Sequence, residues 1–173
     1  MLVNDGWEVL TMSGDDEYVN QLVSIGVKHN KVFLNPTGTN PLSDIFTLIH
    51  FWWSYRGKPM VVLNFTPKCN IYSCLAAYLR GIPSINNISG MGSGILLRGP
   101  VGFFVRTLYG LVSRIAIKTY FQNPDDQKFF FDEFKIPHEK AILIPGSGVN
   151  LSQFKFAPLK KGGQIRFGMF TRI

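Results

Sequence analysis

Cysteine is almost absent from this chain of 173 residues, which contains only Cys69 and Cys74. The two lie five residues apart, and no nearby histidine or further cysteine completes a set of zinc ligands. The spacing therefore does not support a zinc site. We expect two reduced thiols in the core of a cytoplasmic protein.

Long apolar runs are missing as well. No stretch reaches the ~20 consecutive apolar residues that a membrane-spanning helix needs. The N-terminus also lacks the basic segment followed by an apolar run that is typical of a signal peptide. We therefore expect a cytoplasmic chain, and a peripheral position on the inner face of the cytoplasmic membrane stays compatible with these absences.

Acidic residues are scarce, because 11 Asp and Glu stand against 18 Lys and Arg, which gives a net charge of +7. This balance indicates an anionic partner, and charge alone leaves open nucleic acid, a phosphorylated substrate or an acidic membrane surface. No nucleic-acid recognition element is present, so nucleic acid is not expected. The 3 histidines have no spacing typical of a metal site or a triad. No metal is expected.

The chain does contain a regular alternation of short β-like runs and helix-like segments. Strands are predicted at residues 7–12, 31–34, 60–63, 84–88, 119–122 and 141–144. Helices are predicted at residues 15–25, 42–55, 70–80, 101–118 and 124–134. This order indicates an α/β fold with a Rossmann-like parallel sheet and helices on both faces.

One loop that follows a predicted strand combines three kinds of polar group. Residues 64–70 (NFTPKCN) offer a hydroxyl, a cation and an amide from Thr66, Lys68 and Asn70. Open α/β sheets bind ligands at the carboxyl ends of their strands, so this is a candidate binding loop. Asn70 has a second interpretation as the cap of the next helix.

Two further loops after predicted strands are rich in glycine. The glycines of residues 89–94 (SGMGSG) let backbone amides approach an anionic oxygen closely, and a tight structural turn is the alternative. Residues 145–150 (PGSGVN) favour a tight bend of the backbone. Both loops are therefore candidates for ligand contact.

Basic and aromatic side chains alternate along the predicted helix at 101–118 and just before it. The basic residues are Arg98, Arg106, Arg114 and Lys118, and the apolar ones are Ile95, Leu96, Leu97, Phe103, Phe104 and Leu108. This pattern suits anionic lipid headgroups, and it equally suits a helix with its apolar side in the core. A second candidate membrane surface consists of Trp52, Trp53, Tyr55, Arg56 and Lys58.

Four stretches, in this order, resemble the pattern of a known family. They are residues 38–42 (GTNPL), 66–73 (TPKCNIYS), 88–92 (ISGMG), and 121–126 (FQNPDD) together with 144–150 (IPGSGVN). On these stretches the chain resembles the N-terminal, acceptor-side domain of a family 4 retaining glycosyltransferase with the GT-B fold. The resemblance is strongest to the bacterial branch that extends lipid-linked or capsular saccharides.

The resemblance implies two Rossmann-like domains that face a cleft. Residues 1–156 would form the acceptor-side domain without the family's first strand, 157–164 a linker, and 165–173 the first strand of a truncated donor domain. The implied acceptor-binding residues are Thr39, Asn40, Thr66, Lys68, Asn70, Ser89, Gly90 and Gly92. The implied donor-binding residues are Gly146, Ser147, Gly148 and Arg172, whose guanidinium would contact a diphosphate. The implied co-substrate is a nucleotide sugar, UDP-linked, with no metal.

Two departures from the family limit what the resemblance implies. Many members carry a histidine where this chain has Ser89, although close relatives often have Ser or Thr there. The paired glutamates of the donor domain would lie beyond Ile173, so no catalytic residue is assigned. We expect a fragment of a hexosyltransferase of surface polysaccharide synthesis, or alternatively a non-catalytic subunit of a two-chain glycosyltransferase that holds an acceptor or a partner chain.

A catalytic cleft needs both of its walls, so we expect the isolated chain not to transfer sugar. Incubation of the purified 173-residue chain with sugar nucleotides tests this expectation. Turnover of any of them would contradict it.

Overall fold

The computed structural model describes residues 2–34, 40–57 and 59–158. Within them the strands are β1 (Leu10–Ser13), β2 (Lys28–Lys31), β3 (Val62–Asn64), β4 (Ser84–Ile88), β5 (Lys118–Phe121) and β6 (Ala141–Leu143). The helices are α1 (Val19–Ser24), α2 (Pro41–Ser54), α3 (Cys74–Leu79), α4 (Ser93–Leu96), α5 (Gly99–Ile115) and α6 (Pro124–Phe134). The predicted strand at 165–173 and the part of the predicted linker beyond residue 158 lie outside the described residues, as do Thr39 and Arg172.

Asparagine followed by proline determines where two of the helices begin. Asn40 Oδ1 accepts a hydrogen bond from Leu42 N at 3.0 Å, and a proline opens α2. Asn123 Oδ1 accepts from Asp126 N at 2.8 Å, and a proline opens α6 in the same way. Lys135, with a φ of 51°, ends α6 in the left-handed region.

The strands form two hydrogen-bonded sheets, and every strand pair in them is parallel. β1 pairs with β2, while the other sheet has the order β3–β4–β5–β6. Helices connect the parallel strands and lie on both sides of the sheets. The predicted α/β class with a parallel sheet is thereby confirmed. Within the described residues, no ladder joins the two sheets.

One cluster of buried side chains lies between the four-stranded sheet and α3, α5 and α6. Its largest members are Tyr109, Phe121 and Phe130. The ring of Phe130 meets those of Phe121 and Tyr109 edge-on, with centroids 5.0 and 5.7 Å apart. Five of the 15 phenylalanines of the chain lie in or against this cluster.

A second buried cluster connects the two sheets. Val32, just after β2, packs with Phe51 of α2 and Val62 of β3, and Met12 of β1 packs against them. The contacts come from side chains and not from strand pairing. α2 therefore holds the two-stranded sheet to the rest of the molecule.

β2 lies three residues earlier than the predicted strand at 31–34. Its ladder with β1 covers Lys28–Lys31, and the apolar residues follow where the chain leaves the sheet. Val32 is only 1% exposed, whereas Phe33 is 84% exposed. The apolar run thus supplies one core residue, Val32, and does not mark the strand itself. Pairing with β1 determines where the strand lies.

Helix lengths differ from the predicted ones at several ends. α1 has 6 residues in place of the predicted 15–25, and the short helix α4 was not predicted. α5 is longest with 17 residues and ends before the predicted position 118. None of the helices in the described ranges combines the length and the apolarity needed to cross a bilayer.

The predicted membrane surface around Trp52 and Tyr55 is wrong in part, because these two side chains pack inwards while Trp53 and Arg56 are exposed. Tyr55 is only 5% exposed, and Trp52 packs against the second cluster with Arg80 stacked on its ring at 3.6 Å. Trp53 remains exposed. Lys58 lies outside the described residues. The aromatic run encircles the helix and therefore cannot all face one surface.

Gly102 lies at the junction of α4 and α5, where no side chain fits. A β-carbon there would lie 1.8 Å from the carbonyl oxygen of Leu97. We predict that Gly102→Ala lowers the free energy of unfolding by about 3 kcal/mol, the upper part of the usual cost of overpacking. Urea denaturation followed by circular dichroism measures this loss.

Gly110→Ala in the same helix is the matched control. A β-carbon at Gly110 would lie 3.6 Å from the nearest atom, on Phe134, which is an ordinary contact. Alanine is therefore expected to stabilise the helix by up to about 1 kcal/mol through its higher propensity. Equal losses in the two variants would contradict the steric explanation.

Candidate functional site

The loops after β3, β4, β5 and β6 lie at one edge of the sheet, because parallel strands all end on the same side. We call this the carboxyl edge. It consists of residues 65–68, 89–92, 122–123 and 144–150. Most of the site residues predicted from the sequence lie on it.

The loops after β3 and β4 are in direct contact. Gly92 has a φ of 72°, which favours glycine, and a β-carbon there would lie 3.0 Å from Pro67 Cγ. Gly90 has no atom within 4 Å of the position a β-carbon would take. The glycine-rich loop is therefore fixed at Gly92 and open at Gly90.

A network of buried amides lies directly beneath these loops. Asn64 Nδ2 donates to Asn86 Oδ1 at 2.9 Å, and Asn86 Nδ2 donates to the carbonyl oxygen of Asn70 at 3.2 Å. Asn70 Nδ2 in turn donates to the carbonyl oxygen of Asn87 at 3.0 Å. This amide network joins β3 and β4 to the π-helical segment Cys69–Ser73.

Two hydroxyl groups extend the amide network towards α2. Ser73 Oγ donates to Asn64 Oδ1 at 2.6 Å, so Tyr55 Oη, 2.5 Å from Ser73 Oγ, is the donor of the next bond. Burial raises the pKa of Tyr55 to about 12, which keeps this donor protonated at neutral pH. The network thus reaches from the carboxyl edge to the end of α2.

Asn70 was predicted either to contact a ligand or to cap a helix. It is 1% exposed and lies within the π-helical segment, where it makes no cap. Asn70 Oδ1 has no hydrogen-bond partner among the described residues. Its side chain binds the end of β4 before the glycine-rich loop, through the carbonyl oxygen of Asn87 one residue before the strand ends.

Lys68 is held by an aspartate from α2. Lys68 Nζ lies 2.5 Å from Asp44 Oδ1, and the two side chains are 16% and 15% exposed. Tyr72 Oη donates to Asp44 Oδ2 at 2.8 Å. Burial, reinforced by this carboxylate, raises the pKa of Tyr72 above its usual value. Sequence reasoning missed Asp44, because its partner is 24 positions away and only the fold brings them together.

The loops after β5 and β6 are joined by Gln122, which sequence reasoning also missed as a site residue. Gln122 Nε2 donates to Ser147 Oγ at 3.1 Å and lies 3.5 Å from Asn87 Oδ1. Gly146 and Gly148 have φ values of 97° and 69°, which confirms the predicted tight bend. Gln122 lies in the stretch 121–126 that resembles the family, but no role was predicted for it.

The polar groups that remain open along the carboxyl edge are neutral. Thr66, Ser89 and Ser147 are exposed and carry hydroxyls, and Gly90 exposes its backbone. Thr66 also hydrogen bonds to Cys69, a thiol whose pKa is raised by burial. Hydroxyls and backbone amides both donate and accept, which suits a ligand rich in hydroxyl groups.

Two other expectations can be compared with the described residues. Both Cys69 and Cys74 are free thiols, as predicted. Among the described residues, no three His, Cys, Asp or Glu side chains lie close enough together to hold a metal ion. We assign no metal site there.

A solved glycosyltransferase structure from Rickettsia africae ESF-5 has a similar fold. It matches 92% of this chain with a TM-score of 0.63 and 18% sequence identity. The matched part amounts to 40% of that structure's own chain. At this identity the likeness shows a shared fold. No family model and no curated protein matches the sequence.

The partly buried pair of Asp44 and Lys68 is expected to stabilise the molecule as a unit. Lys68→Met leaves the Asp44 carboxylate largely buried, with Tyr72 as its remaining donor, so we predict a loss of about 3 kcal/mol in the free energy of unfolding. Urea denaturation measures the loss.

The double variant Asp44→Asn with Lys68→Met supplies the control, because it removes both charges. Its loss is expected to be smaller than the sum of the two single losses. Strict additivity of the single losses would show that the two charges do not interact.

Proposed function

We propose that this chain is the acceptor-side half of a family 4 retaining glycosyltransferase that uses a nucleotide sugar. The observation that carries the proposal is the likeness to a solved glycosyltransferase over 92% of the chain. The neutral, hydroxyl-bearing carboxyl edge supports it, because parallel α/β sheets bind ligands at this edge. The chain corresponds to two fifths of the solved structure, so the activity of a whole enzyme is part of the proposal.

The open groups of the carboxyl edge are the proposed acceptor contacts. The hydroxyls of Thr66 and Ser89 and the backbone at Gly90 hydrogen bond to hydroxyl groups of a saccharide or lipid-linked saccharide. Lys68 and Asn70 do not contact the acceptor in this proposal, because their side chains are bound to Asp44 and to the backbone of Asn87 beneath the loops. This assignment changes their role from ligand contact to positioning of the loops.

The loop after β6 is proposed to lie nearest the donor, a UDP-linked hexose in surface polysaccharide synthesis. Ser147, oriented by Gln122, and the backbone between Gly146 and Gly148 would contact the nucleotide sugar. Arg172, outside the described residues, would stabilise the departing phosphate by its charge. Transfer needs the opposite wall of the cleft, so the isolated chain binds acceptor without turnover.

Gly90→Val tests the acceptor site without disturbing the fold. The new side chain enters open space and needs no unusual φ, so stability is expected to be unchanged. Binding is measured by saturation-transfer NMR with a panel of disaccharides and a polyprenyl-diphosphate-linked disaccharide in micelles. We expect at least one compound to bind the wild-type chain and the variant to bind it about tenfold more weakly, a loss of about 1.4 kcal/mol.

Gly57→Val is the matched control. Gly57 likewise has open space around it, and it precedes β3, at the opposite end of the strands. Its affinity for the same compound should equal that of the wild type. Equal affinity of the Gly90→Val variant would rule out the glycine-rich loop as the acceptor site, and binding without turnover would also fit a non-catalytic subunit.

A further inference from the structure

The outward face of α2 is apolar along the whole helix. Its exposed members, which we call the α2 stripe, are Leu42, Ile45, Phe46, Ile49 and Trp53. The opposite face packs Phe51 into the core. A helix that is apolar on both faces is normally covered on both, yet none of the described residues covers the stripe.

The α2 stripe has the spacing of a seam between two helices. Leu42, Phe46, Ile49 and Trp53 follow one another by four, three and four residues. This alternation averages about 3.5 residues, which is the repeat of side chains that pack along a second helix. Ile45 lies beside this line, at a position that flanks such a seam. The buried face of α2 uses other residues, so the helix can pack on both sides at once.

A groove of about 730 Å³ runs beside the α2 stripe. Phe33, from the segment after β2, lines this groove together with Phe46, Ile49 and Trp53. The apolar surface therefore extends beyond the helix and is concave. Side chains of a second helix can enter a groove of this kind, as in the packing of ridges into grooves.

The accessible area of this surface is close to what one partner of a small, stable complex buries. Phe33, Phe46 and Trp53 are 84%, 72% and 49% exposed, which amounts to roughly 400 Å² at ~200 Å² for a whole aromatic side chain. The three aliphatic members of the stripe add roughly 150 Å². Stable interfaces begin at about 600 Å² of accessible surface on each partner. The polar residues around the stripe supply the remainder.

Charge distinguishes a protein partner from a lipid surface. α2 contains no lysine and no arginine, and its one acidic residue, Asp44, is bound to Lys68. Helices that lie on anionic membranes carry several such cations on their polar face. Arg56 follows the helix and stacks on Trp53, 3.2 Å from the ring centroid, so its charge lies at one end of the stripe. A surface rich in aromatic residues and poor in charge is typical of the core of a protein interface.

The order of side chains makes the α2 stripe complementary to itself. When two copies of α2 lie antiparallel about a twofold axis, Leu42 faces the partner's Trp53, and Phe46 faces the partner's Ile49. One axis satisfies both pairs, because both are centred on the same point of the helix. Each aromatic ring then meets a smaller aliphatic side chain, and each contact occurs twice. A parallel arrangement would instead set ring against ring.

We propose that two copies of this chain associate through their α2 stripes, antiparallel to each other about a twofold axis. This association goes beyond sugar transfer and does not depend on it. α2 begins beside the carboxyl edge, where Asp44 binds Lys68. Antiparallel packing therefore places the two carboxyl edges at opposite ends of the dimer, where both stay open to ligands.

Analytical ultracentrifugation of the 173-residue chain tests the proposal. Since the interface is at the small end of stable complexes, we expect a reversible dimer. The mass should rise from 19.5 kDa to twice that value as the concentration increases through the micromolar range. No saccharide is present, so the outcome is independent of the acceptor-binding experiment. A chain that stays monomeric up to millimolar concentration would overturn the proposal.

The double variant Phe46→Ser with Ile49→Ser removes the central pairs of the interface. Central apolar contacts contribute most of the binding energy, so the dissociation constant should rise at least about tenfold. The matched control is Phe103→Ser with Leu111→Ser on α5, whose side chains are 70% and 46% exposed, against 72% and 44%. The control should dimerise as the wild type does. An unchanged dimer in the α2 variant would overturn the proposal, as would loss of the dimer in the α5 variant alone.

Disulfide cross-linking reports the arrangement even if the serine variant unfolds. An equal mixture of Leu42→Cys and Trp53→Cys chains should form a disulfide between the two kinds of chain, because antiparallel packing brings these positions together. Two copies of the same position should not link, since eleven residues of helix hold them about 16 Å apart. The chain without added cysteine measures the background from its two free thiols. Efficient linking of Leu42→Cys chains to one another would contradict the antiparallel arrangement.

Co-sedimentation with phosphatidylglycerol vesicles separates a second copy from a lipid surface as the partner. A dimer that covers the stripe keeps it away from lipid, so the wild type and the α2 variant should sediment with vesicles to the same extent. Vesicle binding by a monomeric wild type that is lost in the α2 variant would overturn the proposal in favour of a lipid surface.

Discussion

The hydrogen bonds of the buried amide network are the constraint on which the carboxyl edge depends. Asn64, Asn70 and Asn86 pair across two strands and the start of a helix, and each is nearly inaccessible to water. A buried amide that loses its partner costs about 1 to 3 kcal/mol, so the network strongly favours one arrangement of the backbone. The loops after β3 and β4 are positioned by this arrangement of the backbone beneath them.

This constraint divides the polar residues of the carboxyl edge into two groups. Asn70, Lys68 and Gln122 use their hydrogen bonds inside the protein and hold the loops in place. Thr66 and Ser89 remain exposed above them. A binding site needs both groups, since contacts that are held rigidly lose less entropy when a ligand binds.

Local signals allowed part of the fold to be predicted closely from the sequence. β4 and α6 lie at the predicted residues 84–88 and 124–134, because local signals mark their ends. Gly81 and Pro83 precede β4 and a glycine-rich loop follows it, while an asparagine–proline pair starts α6. β2 was misplaced, since its pairing with β1 decides where it lies. The bend after β6 was also predicted correctly, because the glycines that form it are a signal within the segment itself.

The candidate site was predicted as a set of loops, but the roles of its residues were not. Asp44 and Lys68 are distant in sequence, and only the packing of α2 against the helix after β3 brings them together. The exposed side of α2 could not be predicted either, because apolar residues lie on several sides of this helix. Their pattern does not show which side faces outwards. Burial of Asn70 likewise became evident only in the structure.

The absence of a ladder between the two sheets, within the described residues, gives α2 an unusual mechanical position. The helix packs against the side chains of the two-stranded sheet through Phe51 and contacts the loop after β3 through Asp44. It therefore bridges the two sheets. Asp44 links α2 to Lys68, and Tyr55, directly after the helix, links it to the amide network through Ser73. Through these contacts a single helix connects the two-stranded sheet to the loops of the carboxyl edge.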